Sequence, residues 1–307
     1  MSRSPTAETR AEDAGSATRP IRIALPNKGR LSERALSLFE EAGLKAQFRA
    51  DRALVASLGG EFQAIFVRAS DIPEYLADGA AEIGVTGADL VAESGHESIE
   101  EVLDLGFGRC RLAVAVREES PVKSADALPA GTRVATSFPR VARRYFESLG
   151  TQIVIAPVSG AAEIAPHLGV ADVIVDLVST GSTLRVNGLR ELDTIMVSTA
   201  RLVASSSALA DAEVRRSIDD LSTALESVLR AREKRYLMAN VPRARLDEVR
   251  EVIPGLSGPT IVEVLDGDRW VAAHAVVDAD RVYQTIARLK ELGAEGILVT
   301  RIERLMP

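Results

Sequence analysis

The chain has 307 residues, a formal net charge of −7 and a hydrophobic fraction of 46%. This composition excludes wholesale disorder, which requires low hydrophobicity together with high charge. No stretch reaches the roughly 18 apolar residues of a membrane span, and the single cysteine, Cys110, excludes an internal disulfide and a multi-cysteine zinc site. The acidic balance disfavours nonspecific nucleic-acid binding, and the cysteine usage favours a reducing, cytoplasmic setting.

The first block of the chain predicts strands that alternate with helices. Residues 1–20 are polar and have no apolar period, which indicates a disordered tail without a signal peptide. The predicted strands are Ile21–Leu25, Ala64–Val67 and Glu82–Thr86; helices are predicted over Leu31–Ala42 and after a capping box formed by Asp71 and Glu74. Such alternation predicts parallel strand pairing in an α/β architecture.

A second block repeats the pattern. Its predicted strands are Arg111–Val116, Arg133–Thr136, Ile153–Val158 and Val173–Asp176, and its predicted helices are Pro139–Leu149 and Ala161–Leu168. The extended stretch 192–204 is expected to return to the first block. We therefore predict a two-lobed core like that of periplasmic binding proteins, with residues 21–113 and 200–232 in lobe I and residues 114–199 in lobe II.

The C-terminal part predicts a separate module over residues 235–307. It follows a long amphipathic helix, Asp211–Leu229. The predicted elements are strand Arg235–Asn240, helix Leu246–Ile253, strands Thr260–Leu265 and Trp270–Val277 joined by a turn at Asp266–Asp268, helix Asp278–Leu292 and strand Gly296–Ile302. This β-α-β-β-α-β order is that of a ferredoxin-like fold.

The loop after Asp176 gives the strongest indication of a binding site in the sequence. The apolar strand that ends at Asp176 is followed by Ser179, Thr180, Gly181, Ser182 and Thr183, and then by the start of a predicted helix. Four hydroxyl groups and a glycine that admits close backbone approach suit a phosphomonoester, and the Asp176 carboxylate could accept hydrogen bonds from sugar hydroxyls. The alternative interpretation is an ordinary Ser/Thr helix cap beside a flexible glycine.

Cationic side chains follow other predicted strands. Lys28 and Arg30 flank Gly29 directly after the first strand, where open α/β sheets bind ligands. Arg52 and Arg68 are further candidates for polyphosphate binding. The alternative for all four residues is a solvated basic surface. The three histidines lie far apart in the sequence, so a metal site built from them is not expected, and no P-loop motif is found.

These motifs together resemble a known family. The stretches Leu25–Leu31, Val67–Pro73, Ile83–Gly87, Ala171–Leu184 and Pro254–Ile261 are similar to those of the long form of ATP phosphoribosyltransferase, the first enzyme of histidine biosynthesis. The resemblance extends from Ile21 to the C-terminus. It implies transfer of phosphoribosyl from phosphoribosyl pyrophosphate to N1 of ATP, with Mg²⁺ arriving on the substrate phosphates rather than at a dedicated protein site.

The resemblance also implies roles for individual residues. Lys28 and Arg30 would stabilise charge, and no general acid or base is assigned. The substrate-binding set it implies is Arg52, Arg68, Gly87, Asp89, Thr136, Ser137, Glu163, Asp176, Ser179, Thr180, Gly181, Ser182 and Thr183. In this set, Glu163 and Asp176 would face the ribose hydroxyls, while Thr136–Ser137 and Gly87–Asp89 would border the nucleotide.

The C-terminal module would bind histidine as a feedback inhibitor. By position, the implied contacts are Asn240, Leu256, Thr260, Val276 and Gly296, and the family forms homo-oligomers that interchange between dimers and hexamers. Without the resemblance, the module is a generic small-molecule sensor or dimerisation domain. The rival to the enzyme as a whole is a non-enzymatic bilobal protein that binds a small ligand, and a phosphoribosyltransferase acting on another nucleophile is a second alternative.

Overall fold

The computed structural model describes residues 19–50, 53–265 and 269–306, and the strands of these residues form three sheets. Most of the predicted tail, Arg52 and the turn Asp266–Asp268 lie outside the described residues. Within the described ranges, no helix is both long and apolar enough to cross a membrane.

The first sheet contains seven strands, in the order β2-β3-β4-β1-β5-β12-β6. They are β1 (Ile21–Pro26), β2 (Gln47–Phe48), β3 (Val55–Gly59), β4 (Phe62–Val67), β5 (Ile83–Gly87), β6 (Ile99–Asp104) and β12 (Ala200–Ser205). The central strand β1 pairs in parallel with β4 and β5, whereas β12 runs antiparallel to β5 and β6. The three parallel strands therefore bring their carboxyl ends to one edge of the sheet.

The second sheet contains five strands, in the order β11-β7-β10-β8-β9. They are β7 (Cys110–Arg117), β8 (Thr132–Thr136), β9 (Ile153–Pro157), β10 (Val173–Val178) and β11 (Leu189–Ser198). Strands β8, β9 and β10 are parallel, and β7 is antiparallel to its neighbours β10 and β11. The chain crosses between the two sheets after Asp104 and again after Ser198, so β7 begins a few residues before the predicted boundary at residue 114.

The third sheet has the order β14-β15-β13-β16. Its strands are β13 (Lys234–Pro242), β14 (Thr260–Glu263), β15 (Trp270–Asp278) and β16 (Glu295–Arg301). Side chains alternate along β15: Val271, Ala273, Ala275 and Val277 are buried in a core that also contains Leu289 of the last helix. With the helices on one face, this module has the ferredoxin-like order expected for it, and its other sheet face is open.

Nine α-helices connect these strands within the described ranges. They are α1 (Gly29–Glu41), α2 (Ile72–Ala77), α3 (Ala88–Ser94), α4 (Pro139–Ser148), α5 (Ser182–Val186), α6 (Ser206–Ala210), α7 (Ala212–Arg232), α8 (Leu246–Val252) and α9 (Val282–Glu291). Helix α7 packs Ile218, Leu221, Leu225 and Val228 into the core of the first sheet. Its N-terminus is capped by Asp211, whose carboxylate accepts the N–H groups of Glu213 and Val214.

Two local predictions are wrong. Asp71 does not cap α2 with its side chain; it ends a 3-10 helix, Ala69–Asp71, and has helical backbone angles. The helix predicted over Ala161–Leu168 is a short 3-10 helix, Ala162–Ile164, and it starts one residue late because Ala161 adopts a left-handed conformation with φ of 51°. In addition, β2, β3 and β6 have no counterpart among the predicted strands.

Candidate active site

Cationic side chains lie at the carboxyl ends of the parallel strands in the first sheet. Pro26 at the end of β1 pairs with Val67 at the end of β4, and the N–H of Asn27 donates to the carbonyl of Val67 over 2.8 Å. Lys28, Arg30 and Arg68 follow these two strand ends directly and are exposed. The fold thus brings together cations that are far apart in sequence, while Arg52 lies outside the described residues.

The hydroxyl-rich loop of the second sheet lines a small cavity. This phosphate loop, Ser179–Thr183, follows β10 and precedes α5. The cavity has a volume of about 150 Å³ and is lined by Glu163, Asp176, Leu177, Val178, Ser179, Thr180, Gly181, Thr183 and Leu184. Most of the residues predicted to bind a ribose phosphate therefore surround one cavity, and Ser182 adjoins it through a 2.9 Å hydrogen bond between its hydroxyl and that of Thr180.

The geometry of the loop differs from the prediction in one respect. Strand β10 continues to Val178, so Asp176 lies within the strand, and the helix that follows has only five residues. Such a short helix has little macrodipole, so an anion here would be held by hydroxyl and N–H groups of the loop itself. Gly181 has φ of 74°, a backbone conformation that residues other than glycine adopt only with strain.

Two carboxylates share the cavity. Burial raises the pKa of Asp176, the N–H of Leu177 opposes this by donating to its carboxylate over 2.7 Å, and the negative charge of Glu163 raises the pKa further. Glu163 reaches this site from the 3-10 helix that follows the left-handed Ala161. A pair of like charges in a partly buried cavity favours partners that bring hydroxyl donors or a cation.

Some residues predicted to border a nucleotide point into the protein instead. Thr136 is fully buried, and its hydroxyl accepts the N–H of Phe138 over 2.8 Å. Asp89 is only 4% exposed, and its carboxylate accepts the hydroxyl of Ser198 at the crossing between the sheets. A Cβ atom on Gly87 would lie 2.2 Å from the Asp89 carboxylate, so glycine is needed there for packing.

A larger cavity lies between the two lobes. It has a volume of about 670 Å³, within the range of small-molecule sites. We call it the interlobe cavity; it is lined by Ser70, Glu74, Leu90, Glu93 and Ser94 from the first lobe and by Ser137, Pro139, Arg140 and Arg143 from the second. Of the predicted substrate residues, the exposed Ser137 lines this cavity. The sequence did not predict the others as functional: Arg140 and Arg143 fall on a basic face of the predicted helix Pro139–Leu149, a pattern that favours a solvated surface, and Glu93 carries no local motif.

The residues predicted to bind histidine gather on the open face of the third sheet. Asn240 pairs with Ala272 and Thr260 pairs with His274, so both share a face with Val276. A Cβ atom on Gly296 would lie 3.4 Å from the Asn240 amide nitrogen. Leu256 precedes β14 and is 61% exposed. The hydroxyl of Tyr236 lies 2.9 Å from Nδ1 of His274 on the same face, a contact that the sequence does not indicate.

Comparison with known proteins covers both parts of the chain. A family model described as ATP phosphoribosyltransferase (HisG) matches residues 68–227, and one described as the HisG C-terminal domain matches residues 231–304. The ATP phosphoribosyltransferase of Gemmatimonas aurantiaca is 61% identical over 292 residues, and that of Methanosarcina acetivorans is 48% identical over 293 residues. Each alignment covers 94% of this chain and 100% of the relative.

A solved structure agrees with these matches. A chain of the ATP phosphoribosyl transferase (HisG:HisZ) complex from Thermotoga maritima superposes with a TM-score of 0.58 and 29% sequence identity, and the superposition covers 67% of this chain and 98% of that chain. The match of both family models, together with near-complete alignment to these relatives, confirms the resemblance found in the sequence. The chain therefore belongs to the ATP phosphoribosyltransferase family, in the long form that includes a C-terminal domain.

Proposed function

We infer that this chain transfers the phosphoribosyl group of phosphoribosyl pyrophosphate to N1 of the adenine ring of ATP, releasing pyrophosphate, as the first step of histidine biosynthesis. The observation that carries this inference is the cavity formed by the phosphate loop beside Asp176 and Glu163. A loop rich in hydroxyl groups suits a phosphate, and adjacent carboxylates suit the hydroxyl groups of a sugar. Both features are needed to bind a ribose 5-phosphate group.

The phosphate loop would hold the 5′-phosphate. Ser179, Thr180, Ser182 and Thr183 each offer a hydroxyl donor, and Gly181 lets the phosphate approach the backbone closely. The cavity volume of about 150 Å³ suits a phosphate and part of a ribose rather than a whole nucleotide. Asp176 and Glu163 would accept hydrogen bonds from the ribose hydroxyls, which orients the anomeric carbon.

The exposed cations of the first lobe would meet the pyrophosphate or the triphosphate. Lys28 and Arg30 stand at the end of β1 and Arg68 at the end of the neighbouring β4, all three exposed. Arg52 stays a candidate on the family resemblance alone. In the reaction the bond from the anomeric carbon to pyrophosphate breaks while a bond to N1 forms, so negative charge grows on the leaving group and cations stabilise it.

The ATP would enter the interlobe cavity. Ser137, Arg140 and Arg143 line it from the second lobe, and its size, about 670 Å³, supports a nucleotide. Because the structure turns Thr136 and Asp89 inward, we assign them to the support of this cavity rather than to direct nucleotide contact. Adenine N1 carries no proton to remove, so no general base is required.

Magnesium would arrive bound to the substrate phosphates rather than at a dedicated protein site. In the described ranges no group of three or more His, Cys, Asp or Glu residues could hold a metal ion. Magnesium prefers oxygen ligands and is often bound by one or two carboxylates together with substrate phosphates. Asp176 and Glu163 fit this pattern, because their mutual repulsion would be relieved by a cation. The ion would supply positive charge to the departing pyrophosphate.

Feedback inhibition and assembly are part of the same proposal. The open face of the third sheet carries Asn240, Thr260 and Val276, with Leu256 and Gly296 at its edges, and would bind histidine. The family resemblance supports a homo-oligomer that interchanges between dimers and hexamers. Since the chain has a C-terminal domain of its own, we expect histidine control without a separate regulatory subunit.

Measurement of pyrophosphate release tests the proposal. Purified protein with Mg²⁺ and phosphoribosyl pyrophosphate should release pyrophosphate with ATP and not with other purine or pyrimidine bases. Release with another base instead of ATP would indicate a different phosphoribosyltransferase. Binding of phosphoribosyl pyrophosphate without turnover for any acceptor would support the rival, a non-enzymatic bilobal binding protein.

A further inference from the structure

An ion pair stands beside the phosphate loop that none of the predicted roles uses. The Nε of Arg111 donates to the two carboxylate oxygens of Glu191 over 2.8 and 3.0 Å, and its Nη2 donates to Oε2 over 2.6 Å. The remaining Nη1 donates to the carbonyl of Ser179 over 3.1 Å. One guanidinium therefore joins strand β11 to the first residue of the phosphate loop.

Strand register places this pair on the face of the second sheet that carries the loop cavity. Along β7, Arg111 pairs with Val178 and Ala113 pairs with Asp176. On the other side of β7, Ala115 pairs with Glu191. Residues directly opposite each other in a sheet share a face, and alternate residues of β7 do so too. Arg111, Asp176 and Glu191 are therefore on one face.

Strand β11 is irregular at this position. Register shifts fall between Glu191 and Asp193 and between Thr194 and Met196. Glu191 and Thr194 are three residues apart and would point to opposite faces of a regular strand. The first bulge brings both to the same face, and the Thr194 hydroxyl donates to Oε1 of Glu191 over 2.9 Å. Bulges that redirect a side chain are common next to active sites.

The guanidinium also adds positive charge close to the loop. A Cβ atom built on Gly181 would lie 3.8 Å from Nη2 of Arg111 and 3.6 Å from Nη1 of Arg185. The hydrogen bonds from Arg111 hold the pKa of the Glu191 carboxyl below its ordinary value, so Glu191 is ionised and directs the guanidinium. Because a guanidinium presents several donors in a fixed plane, it can bind both oxygens of Glu191 and the Ser179 carbonyl in one set geometry, which the single nitrogen of a lysine reproduces only in part.

We propose that Arg111 is a positioning residue for phosphoribosyl pyrophosphate: Glu191 orients its guanidinium, which fixes the peptide between Ser179 and Thr180 so that the loop is preset for the 5′-phosphate. The peptide group is planar and trans. Holding the Ser179 carbonyl at Arg111 therefore fixes the direction of the Thr180 N–H and keeps the carbonyl from turning toward an anion. This inference rests on the proposed function of the loop.

Calorimetric binding of ribose 5-phosphate to the full-length protein tests the proposal. Arg111→Met should weaken binding by about tenfold or more, because a loop that is no longer preset must be ordered when the phosphate binds. Arg111→Lys should restore part of the loss. In steady-state assays, KM for phosphoribosyl pyrophosphate should rise while KM for ATP changes by less than about twofold, a split that general destabilisation would not produce.

A matched control comes from β11, the strand that carries Glu191. Arg190 on β11 donates from Nη2 to the carbonyls of Ser120 and Val122, away from the loop. Arg190→Met removes a similar guanidinium–carbonyl contact and should leave ribose 5-phosphate binding within about twofold of wild type. Equal weakening by Arg190→Met and Arg111→Met would overturn the proposal, because both effects would then come from sheet stability.

The role of Glu191 is tested by a double variant. If Glu191 acts only through Arg111, Glu191→Gln alone should weaken binding about threefold or more, and Glu191→Gln with Arg111→Met should bind no worse than Arg111→Met. Additive losses would overturn the orienting role.

A variant with both Ser182→Ala and Thr183→Ala tests the loop itself. Weak ribose 5-phosphate binding by this variant, together with wild-type binding by Arg111→Met, would reject this inference and leave the proposed function intact. Wild-type binding by the Ser182→Ala, Thr183→Ala variant and by Arg111→Met would reject this inference and the proposed function of the loop together.

Discussion

Asp176 shows how the fold sets the charge of a single side chain in the candidate active site. Burial raises its pKa, the nearby Glu163 raises it too, and the N–H of Leu177 acts in the opposite direction. Because the folded pKa lies above the unfolded value, the folded state binds a proton more tightly than the unfolded chain does. Stability therefore falls as pH rises through the interval between these two pKa values, and the ionised carboxylate destabilises the free protein at neutral pH.

Asp176→Asn is therefore expected to raise the thermal unfolding midpoint at pH 7 and to lower kcat/KM for phosphoribosyl pyrophosphate by about tenfold or more, through loss of a charged acceptor. Differential scanning calorimetry between pH 4 and pH 7 should show that the difference in unfolding midpoint between Asp176→Asn and wild type becomes smaller toward pH 4. Glu191→Gln is the matched comparison and should lower the midpoint at pH 7, because the pKa of Glu191 is lowered by its bonds from Arg111. A lower midpoint for Asp176→Asn would contradict this account.

The candidate site residues that the sequence predicted lie in short continuous stretches of the chain. Ser179–Thr183 and the pair Lys28 and Arg30 each form a local motif at a strand end, and a pattern search finds them. Arg111 and Glu191 are 80 residues apart, and a bulge determines which way Glu191 points. Contacts of this kind depend on strand order and register, which no local spacing encodes.

At the scale of elements most strands were predictable, including the edge strands β9, β14 and β16, whereas β2, β3 and β6 of the first sheet were not. β1, β5 and β10 are mostly apolar, with one polar residue each (Arg22, Thr86 and Asp176), and most of their side chains are buried. β2 has two exposed residues, β3 ends at Gly59 with a left-handed conformation, and β6 carries Glu100 and Glu101 on exposed positions. These strands are too short or too polar to show either a sustained apolar run or a clear alternation, so periodicity alone gives no sign of them.

Helices α3 and α4 make a specific contact between the lobes. The two carboxylate oxygens of Glu93 on α3 accept the N–H groups of Arg140 and Val141, each over 2.9 Å. Arg144 donates back to the carbonyl of Ala92 over 2.6 Å. The first turn of α4 thus obtains its capping group from the other lobe, at the wall of the interlobe cavity. The angle between the lobes and the stability of α4 are therefore linked.

Glu93→Ala is expected to lower the unfolding free energy by about 1 kcal/mol, as loss of a capping group does, and to raise KM for ATP more than KM for phosphoribosyl pyrophosphate. Glu93→Gln should have a smaller effect, because an amide oxygen still accepts hydrogen bonds. Urea denaturation and steady-state kinetics measure both effects. Glu97→Ala, an exposed change just beyond α3, is the control; an equal rise of both KM values for Glu93→Ala would argue against a role at the interlobe cavity.

At the scale of the whole molecule, α7 connects the catalytic part to the C-terminal module. It has 21 residues and spans about 30 Å. Its apolar side packs into the core of the first sheet, and only Glu233 separates it from β13. At the junction, Arg232 pairs with Glu41 of α1 over 3.0 and 2.8 Å, and the N–H of Leu305 donates to the carbonyl of Ser227 over 2.9 Å. The Arg232–Glu41 pair lies within the first lobe and holds the end of α7 against α1, whereas the Leu305–Ser227 hydrogen bond crosses to the C-terminal module. A change in the orientation of the module must break or rearrange the Leu305–Ser227 contact, which gives a ligand on the module a mechanical connection to the catalytic lobes.

Histidine bound to the open face of the third sheet should therefore inhibit without competing with phosphoribosyl pyrophosphate, since the phosphate loop and this face belong to different sheets. Such allostery requires that histidine bind two global states with different affinity. Thr260→Ala removes one hydroxyl from that face and should raise the half-inhibiting histidine concentration by about two- to tenfold, the effect of losing one neutral hydrogen bond, with kcat nearly unchanged.

Thr260→Ser keeps the hydroxyl and should therefore be inhibited by histidine as the wild type is. Thr223→Ala is the control, because that hydroxyl donates within α7 to the carbonyl of Asp219. Histidine that competes with phosphoribosyl pyrophosphate, or an unchanged half-inhibiting concentration in Thr260→Ala, would show that the open face is not the inhibitor site.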